Sequence, residues 1–281
     1  MNYRHSFHAG NFADLVKHAL VLWLVGQARP SVMLDTHAGA GLYDLSGDGA
    51  RSKEAEAGVA RLMTAEGRPP LMDALADRVA GFNPEGGVRF YPGSPLLIAD
   101  ALAPGGRYVG FELNPPVRRM LAEALAGRAN AKAREGDGYD LAVAEAARAR
   151  GPLVLIDPPF EKPDDYIRAA ETAVAIVRRD PSATVAIWTP LKDLETFDAF
   201  IRKLKDLETF DAFIRKLQGR AGPTLVAEAR LRPLTNPMKM NGCAMVVVNP
   251  PPGADAAARE VCAWVANALG EAGGKAEVWT F

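Results

Sequence analysis

Cysteine is nearly missing from this sequence: only Cys243 and Cys262 occur, far apart and outside any CxxC spacing. That excludes a disulfide framework and a thiolate zinc site, and it fits a reducing cytoplasm. Histidine is almost as scarce. His5, His8, His18 and His37 are the full set, with no acid or cysteine completing a group of ligands, so no metal site is expected. Net charge is lacking too: Lys and Arg number 33 against 34 Asp and Glu, a formal charge of -1. No global basic field announces a polyanion, and any nucleic-acid contact must use a local patch. No apolar run approaches the roughly 20 residues of a membrane span, and the start, MNYRHSFHAGN, lacks the apolar stretch of a signal peptide. A cytoplasmic protein with no membrane contact is the expectation.

What is present is core material. With 48% hydrophobic residues, 281 residues can form one domain over 1–281 carrying a smaller insertion. Short β-branched runs alternate with helical patterns, the mark of a mostly parallel sheet covered on both faces. Seven strands are expected, at 32–36, 107–113, 131–135, 153–157, 184–188, 224–231 and 244–249. Helices are expected at 12–28, 115–127, 138–149, 164–178, 191–217 and 254–270. The last two strands have no helix between them and read as an antiparallel hairpin ending the sheet. Residues 46–90 break the alternation with Ala-rich, helix-periodic sequence and read as a small helical insertion. LKDLETFDAFIRK appears twice in tandem, filling 191–216. Thirteen helical residues turn the chain by three turns plus about 220°, so both apolar faces cannot meet one core. One copy is expected to be displaced and to have no function of its own.

The chemistry concentrates in LVLIDPPF (153–160), where an apolar strand ends in Asp157-Pro158-Pro159-Phe160. In an open parallel sheet, ligands bind beyond the carboxyl ends of the strands. The prolines fix an extended backbone, so Asp157 and the Pro158 carbonyl become rigid acceptors suited to an amino group with two hydrogens to give. Phe160 adds a flat face for a base. Asn114-Pro115-Pro116-Val117 and Asn249-Pro250-Pro251-Pro252 lack both the acid and the aromatic, and read as punctuation.

Upstream, LDTHAGAG (34–41) runs a strand into a glycine turn at Gly39 and Gly41. Asp44 stands where a dinucleotide fingerprint needs its third glycine, which removes the dehydrogenase reading. The next strand ends in Glu112, placed to hold a ribose diol, and the third is followed by Asp137, placed to take an adenine amino group. The order of glycine turn, ribose acid, adenine acid and catalytic tetrapeptide is that expected for S-adenosylmethionine. His37 lies in the glycine turn and is a candidate cofactor contact. Tyr3, Arg4 and Lys17 are candidate substrate contacts if the N-terminal segment folds over the site. The basic stretch 230–242, with Arg230, Arg232 and Lys239, is suited to phosphate or is a solvated hairpin.

YRHSFHAGNFADLVKH (3–18), LDTHAGAG, YPGSP (91–95), the Glu112 strand, GDGY (136–139) and IDPPF (156–160) together resemble the bacterial family that methylates adenine N6 in 23S ribosomal RNA. The resemblance spans nearly the whole chain. It implies a Rossmann-like class I methyltransferase, monomeric, acting with S-adenosylmethionine on 23S rRNA that is protein-free or in early assembly. It assigns cofactor contacts to His18, His37, Ser94, Glu112, Asp137 and Gly138, catalysis to Asp157, and a substrate contact to Tyr3; from the tetrapeptide itself, Pro158 and Phe160 are expected to share in catalysis, Phe160 to touch the substrate and Asp157 to border the cofactor. Phe160 departs from the tyrosine of many relatives. Alternatives are a DNA adenine-N6 methyltransferase, against which the short insertion speaks, and a non-catalytic nucleic-acid-binding or DNA-uptake protein.

Overall fold

A computed structural model describes residues 8–46, 53–162, 164–191, 223–234 and 240–281. Tyr3, Arg4, Lys239 and the tandem repeat after Leu191 lie outside the described residues. Helix α1 (Phe12–Ala28) leads into β1 (Val32–Asp35). Strands β2 (Leu42–Asp44) and β3 (Phe90–Pro92) pair as a small antiparallel ribbon, between which run a π-helical turn (Glu56–Ala60), α2 (Arg61–Thr64) and α3 (Pro70–Gly81). Alternation then sets in: α4 (Ser94–Ala101), β4 (Arg107–Glu112), α5 (Pro115–Ala124), β5 (Ala131–Glu135), α6 (Gly138–Ala146), β6 (Leu153–Ile156), α7 (Asp165–Arg179) and β7 (Thr184–Leu191). The chain finishes with β8 (Thr224–Arg230), β9 (Gly242–Val248), α8 (Ala254–Ala268) and β10 (Lys275–Thr280).

The main sheet has the order β10-β8-β9-β7-β6-β1-β4-β5. Its inner strands are apolar throughout because side chains alternate between two cores. On β1, Met33 belongs to one core and Val32 and Leu34 to the other; on β6, Leu155 and Val154 divide the same way. The first core packs under α1, α3, α4 and α8 through residues such as Leu15, Leu75, Leu96 and Val261, and the second under α6 and α7 through Ala142, Ala169 and Ile176. Burying each large aliphatic side chain contributes about 1.5–3 kcal/mol.

Among the described residues eight strands, not seven, form this sheet. The additional one, β10, is an edge strand paired only with β8 and half-buried along its length, so KAEVWT never shows an apolar run. Strands β8 and β9 are antiparallel neighbours, as the missing helix implied, but β10 rather than this pair forms the sheet's edge.

Candidate active site

Strand β1 has β4 on one side and β6 on the other, both parallel, so the connections leaving the carboxyl ends diverge around it. Beside that divergence lies a cavity of about 670 Å³, whose walls include His18, His37, Ser94, Asp157, Pro158 and Trp188.

Asp157 follows the last residue of β6 and is only 7% exposed. Its Oδ2 accepts a hydrogen bond from Lys17 Nζ at 2.6 Å, and the same ammonium lies 2.8 Å from Asp14 Oδ1. Lys17 and Asp14 sit one helical turn apart on α1, whose start is fixed by Asn11 accepting the N–H groups of Ala13 and Asp14 at 3.0 Å each. Burial works against the Lys17 charge, but the two carboxylates outweigh it and hold the ammonium well above the ordinary lysine range. Burial pushes the Asp157 carboxyl up, with Lys17 opposing. The result is a buried acid with one oxygen clamped to a cation.

On the β1 side, Gly39 and Gly41 adopt φ of 66° and 82°, conformations that favour glycine. The Gly39 N–H donates to Glu112 Oε2 at 3.1 Å, and the Asn114 N–H donates to Oε1 at 2.8 Å, so Glu112 ties the glycine turn to the end of β4. Asp137 caps α6 by accepting the Tyr139 N–H at 3.0 Å and pairs with Arg168 at 2.9 Å. Burial pushes its carboxyl up, but Arg168 and the N–H outweigh it and hold the group below the usual carboxylate range. At Gly138, a Cβ would lie 1.8 Å from the Thr36 carbonyl oxygen, so only glycine lets α6 start this close to β1. The His37 ring meets Tyr139 edge-on at 4.8 Å. His18 is driven down to about 3 by burial and by Lys17, which leaves a neutral ring, and its Nδ1 shares a 2.7 Å hydrogen bond with the Tyr91 hydroxyl.

The structure thus brings His18, His37, Ser94, Lys17 and Asp157 onto one cavity, with the glycine turn, Glu112, Asp137 and Gly138 at the ends of the adjoining strands. Lys17 faces the Asp157 carboxylate as a buried partner, rather than lying on a surface over the site. Phe160 does not reach the cavity wall. It is 7% exposed, has φ of 49° and packs with its ring centroid 4.5 Å from that of Tyr166.

Three further residues belong to the site and escaped sequence reasoning. Asp14 fixes Lys17 and also accepts the Gly10 N–H at 2.9 Å. Asp35 ends β1 fully buried; its Oδ2 accepts from the Ser94 and Tyr108 hydroxyls at 2.7 and 3.0 Å, while Oδ1 has no partner among the described residues. Burial raises its pKa to about 6. The signal was available, since Asp35 ends an apolar strand just as Asp157 does. Trp188, on β7, completes the wall beside Lys17, and nothing local in TVAIWTPL separates it from a core residue.

The insertion also reaches this site. Glu54 accepts from Asn11 Nδ2 at 3.1 Å and lies 2.9 Å from His8 Nδ1, while the Val59 N–H donates to the Gly10 carbonyl at 2.8 Å. Arg61 bonds the carbonyls of Ala268 and Leu269 at the end of α8. Among the described residues, no group of three possible metal ligands gathers and no helix is long and apolar enough to cross a membrane.

A family model described as ribosomal RNA large subunit methyltransferase D, RlmJ, matches residues 28–281. Ribosomal RNA large subunit methyltransferase J of Escherichia coli (strain K12) is 32% identical over 279 residues, covering 97% of this chain and 95% of that protein. Its namesake from Haemophilus influenzae is 30% identical over 286 residues, covering 96% and 94%. Among solved structures, protein LPL1258 from Legionella pneumophila shares the fold with a TM-score of 0.84, covering 97% of this chain and 98% of that one at 22% identity. With these likenesses beside the geometry, the chain is a Rossmann-like methyltransferase dependent on S-adenosylmethionine. More narrowly, it belongs to the ribosomal RNA large subunit methyltransferase D, RlmJ, family.

Proposed function

We propose that this protein methylates N6 of an adenine in 23S ribosomal RNA. The observation that carries the reading is Asp157, held by Lys17 at 2.6 Å at the end of β6, next to Pro158 and in the same cavity as His37 and Ser94. The printed names of the relatives, ribosomal RNA large subunit methyltransferase J, support the substrate class.

S-adenosylmethionine is a cation at its sulfonium, and the residues present fit it. The unpartnered buried Oδ1 of Asp35 and the Glu112 carboxylate supply acceptors and negative charge around the glycine turn. His18, His37, Ser94, Glu112, Asp137 and Gly138 would hold it, and when bound it supplies an electrophilic methyl group.

The remaining work belongs to the chain. The amine of adenine is a poor nucleophile because its lone pair is delocalised into the ring. Asp157 Oδ1 and the Pro158 carbonyl accept its two hydrogens and favour a pyramidal nitrogen with the lone pair released. As the new N–C bond forms, the nitrogen becomes acidic, and Asp157 takes the proton. A carboxyl raised by burial is suited to that step. The adenine must be single-stranded or leave its stack, at a cost of a few kcal/mol. The same reading has the protein act as a monomer in the cytoplasm, in keeping with large exposed hydrophobics limited, among the described residues, to Leu113, Met120 and Ile167.

The test offers tritiated cofactor with protein-free 23S rRNA, assembled subunits and duplex DNA. Label in N6-methyladenine of the rRNA is the expected result. Label in DNA alone, or in no nucleic acid, overturns the reading.

A further inference from the structure

The cavity wall that carries Asp157 and Lys17 also carries two arginines, Arg61 from the insertion and Arg232 from the turn after β8. Arg61 is exposed and donates to the carbonyls of Ala268 and Leu269, and no carboxylate pairs with it among the described residues. Arg232 is fixed through its backbone neighbour: the Leu231 N–H donates to the Asn241 carbonyl at 2.9 Å, and the Leu231 carbonyl accepts the Glu271 N–H at 2.7 Å. Its guanidinium is only half used. Nη2 donates to Glu271 Oε1 at 2.7 Å, while Nε is buried with no partner among the described residues. A guanidinium offers Nε–H and Nη2–H side by side to two oxygens of one anion, so this fork has room for a better acceptor than the one it holds. Glu271 is 64% exposed, and water compensates its carboxylate once the guanidinium turns to another anion. Both arginines grip the short segment Leu269–Glu271, which brings their charges close together. Glu54, the carboxylate on the insertion side of this wall, is engaged by His8 and Asn11.

We propose that Arg232, with Arg61 as the second cation, holds a backbone phosphate of the RNA strand next to the target adenine. This rests on the reading of the cavity as an adenine-N6 site. An adenine delivered on an RNA chain brings its flanking phosphates with it, and a protein of formal charge -1 has no global field to hold them. The contact positions the strand and reads no sequence. Glu271 is then a placeholder: it keeps the guanidinium in place before RNA arrives and competes with the phosphate afterwards.

The experiment compares wild type, Arg232→Gln, Arg232→Lys and Glu271→Gln in the full chain. Affinity for protein-free 23S rRNA is measured by filter binding between about 50 and 200 mM salt, beside KM for RNA and calorimetric affinity for S-adenosylmethionine. Arg232→Gln is expected to weaken RNA binding about 10-fold and to make the log–log salt slope shallower by roughly 0.7–1, the share of one phosphate. KM should rise in step, with cofactor affinity unchanged. Arg232→Lys should keep the wild-type slope and recover part of the affinity, because a point charge lacks the fork. Glu271→Gln should bind RNA a few-fold more tightly, which an ion pair serving only the fold would not allow. Wild-type affinity and slope in Arg232→Gln, or RNA binding no tighter in Glu271→Gln, overturns the proposal. Should Arg232→Gln fail to fold, Glu271→Gln still decides. Wild type that labels no adenine N6 in the rRNA would instead sink the underlying reading.

Discussion

Replacing Lys17 by Met keeps the length of the side chain and deletes its charge. Asp14 and Asp157 then face each other, buried, without the cation that holds both. Removing one partner of a buried pair costs about 3–5 kcal/mol, since a charge is left uncompensated. The Asp14 carboxyl points the same way, Lys17 being one of several groups that act on it. Burial pushes its carboxyl up, yet Lys17 leads the groups that hold it at about 2 against an ordinary 3.8. At 1.36 kcal/mol per pH unit, that displacement is worth roughly 2.4 kcal/mol. The sign follows from linkage: a depressed carboxyl contributes stability that is full above its unfolded pKa of 3.8 and lost as pH falls toward about 2. Urea unfolding should therefore show Lys17→Met less stable than wild type by about 3 kcal/mol near neutral pH, with the gap closing as pH falls below about 4. Adding Asp14→Asn to Lys17→Met should recover part of the stability without recovering turnover. Catalytically, kcat should fall about 100-fold through misplacement of Asp157, and the acid limb of the kcat/KM profile should move to higher pH, because Lys17 lowers the Asp157 pKa. A Lys17→Met protein as stable as wild type, with the same pH profile, would refute the reasoning.

Asp35 should behave in the opposite sense: its folded pKa of about 6 lies above the ordinary 3.8, so it contributes stability below 3.8 that is lost as pH rises through 6. Wild type should lose roughly 3 kcal/mol more than Asp35→Asn between these limits, while the variant binds S-adenosylmethionine more weakly by calorimetry. Gly58→Ala would put a Cβ 2.2 Å from the Gly10 carbonyl oxygen, and should lower stability by about 1–3 kcal/mol. It should also raise KM for RNA more than it weakens cofactor binding, because the contact sits on the cap of α1. Burial raises both thiols, Cys262 to about 12, so neither cysteine should react with a thiol reagent in the native protein, and both should react once it is unfolded in urea.

The parallel half of the sheet was legible because its inner strands are buried on both faces and read as apolar runs, as in VMLD and LVLI. Strand β10 was not, because an edge strand paired on one side needs no such run. At the site, Asp157 announced itself by ending an apolar strand before two prolines. Its clamp did not: Lys17 is 140 residues away in sequence, and only the packing of α1 across β6 and β7 brings its ammonium to the carboxylate. For the same reason Trp188, one of the aromatics on the cavity wall, could not be named in advance. Phe160, at positive φ, packs its ring against Tyr166, while the half-buried Trp188 lines the cavity from the neighbouring strand.

The most direct measurement is the yield of N6-methyladenine in 23S rRNA from the Asp157→Ala protein, set beside its calorimetric affinity for S-adenosylmethionine. No detectable product is expected, with cofactor affinity close to wild type; comparable product from the variant would contradict a catalytic role for Asp157.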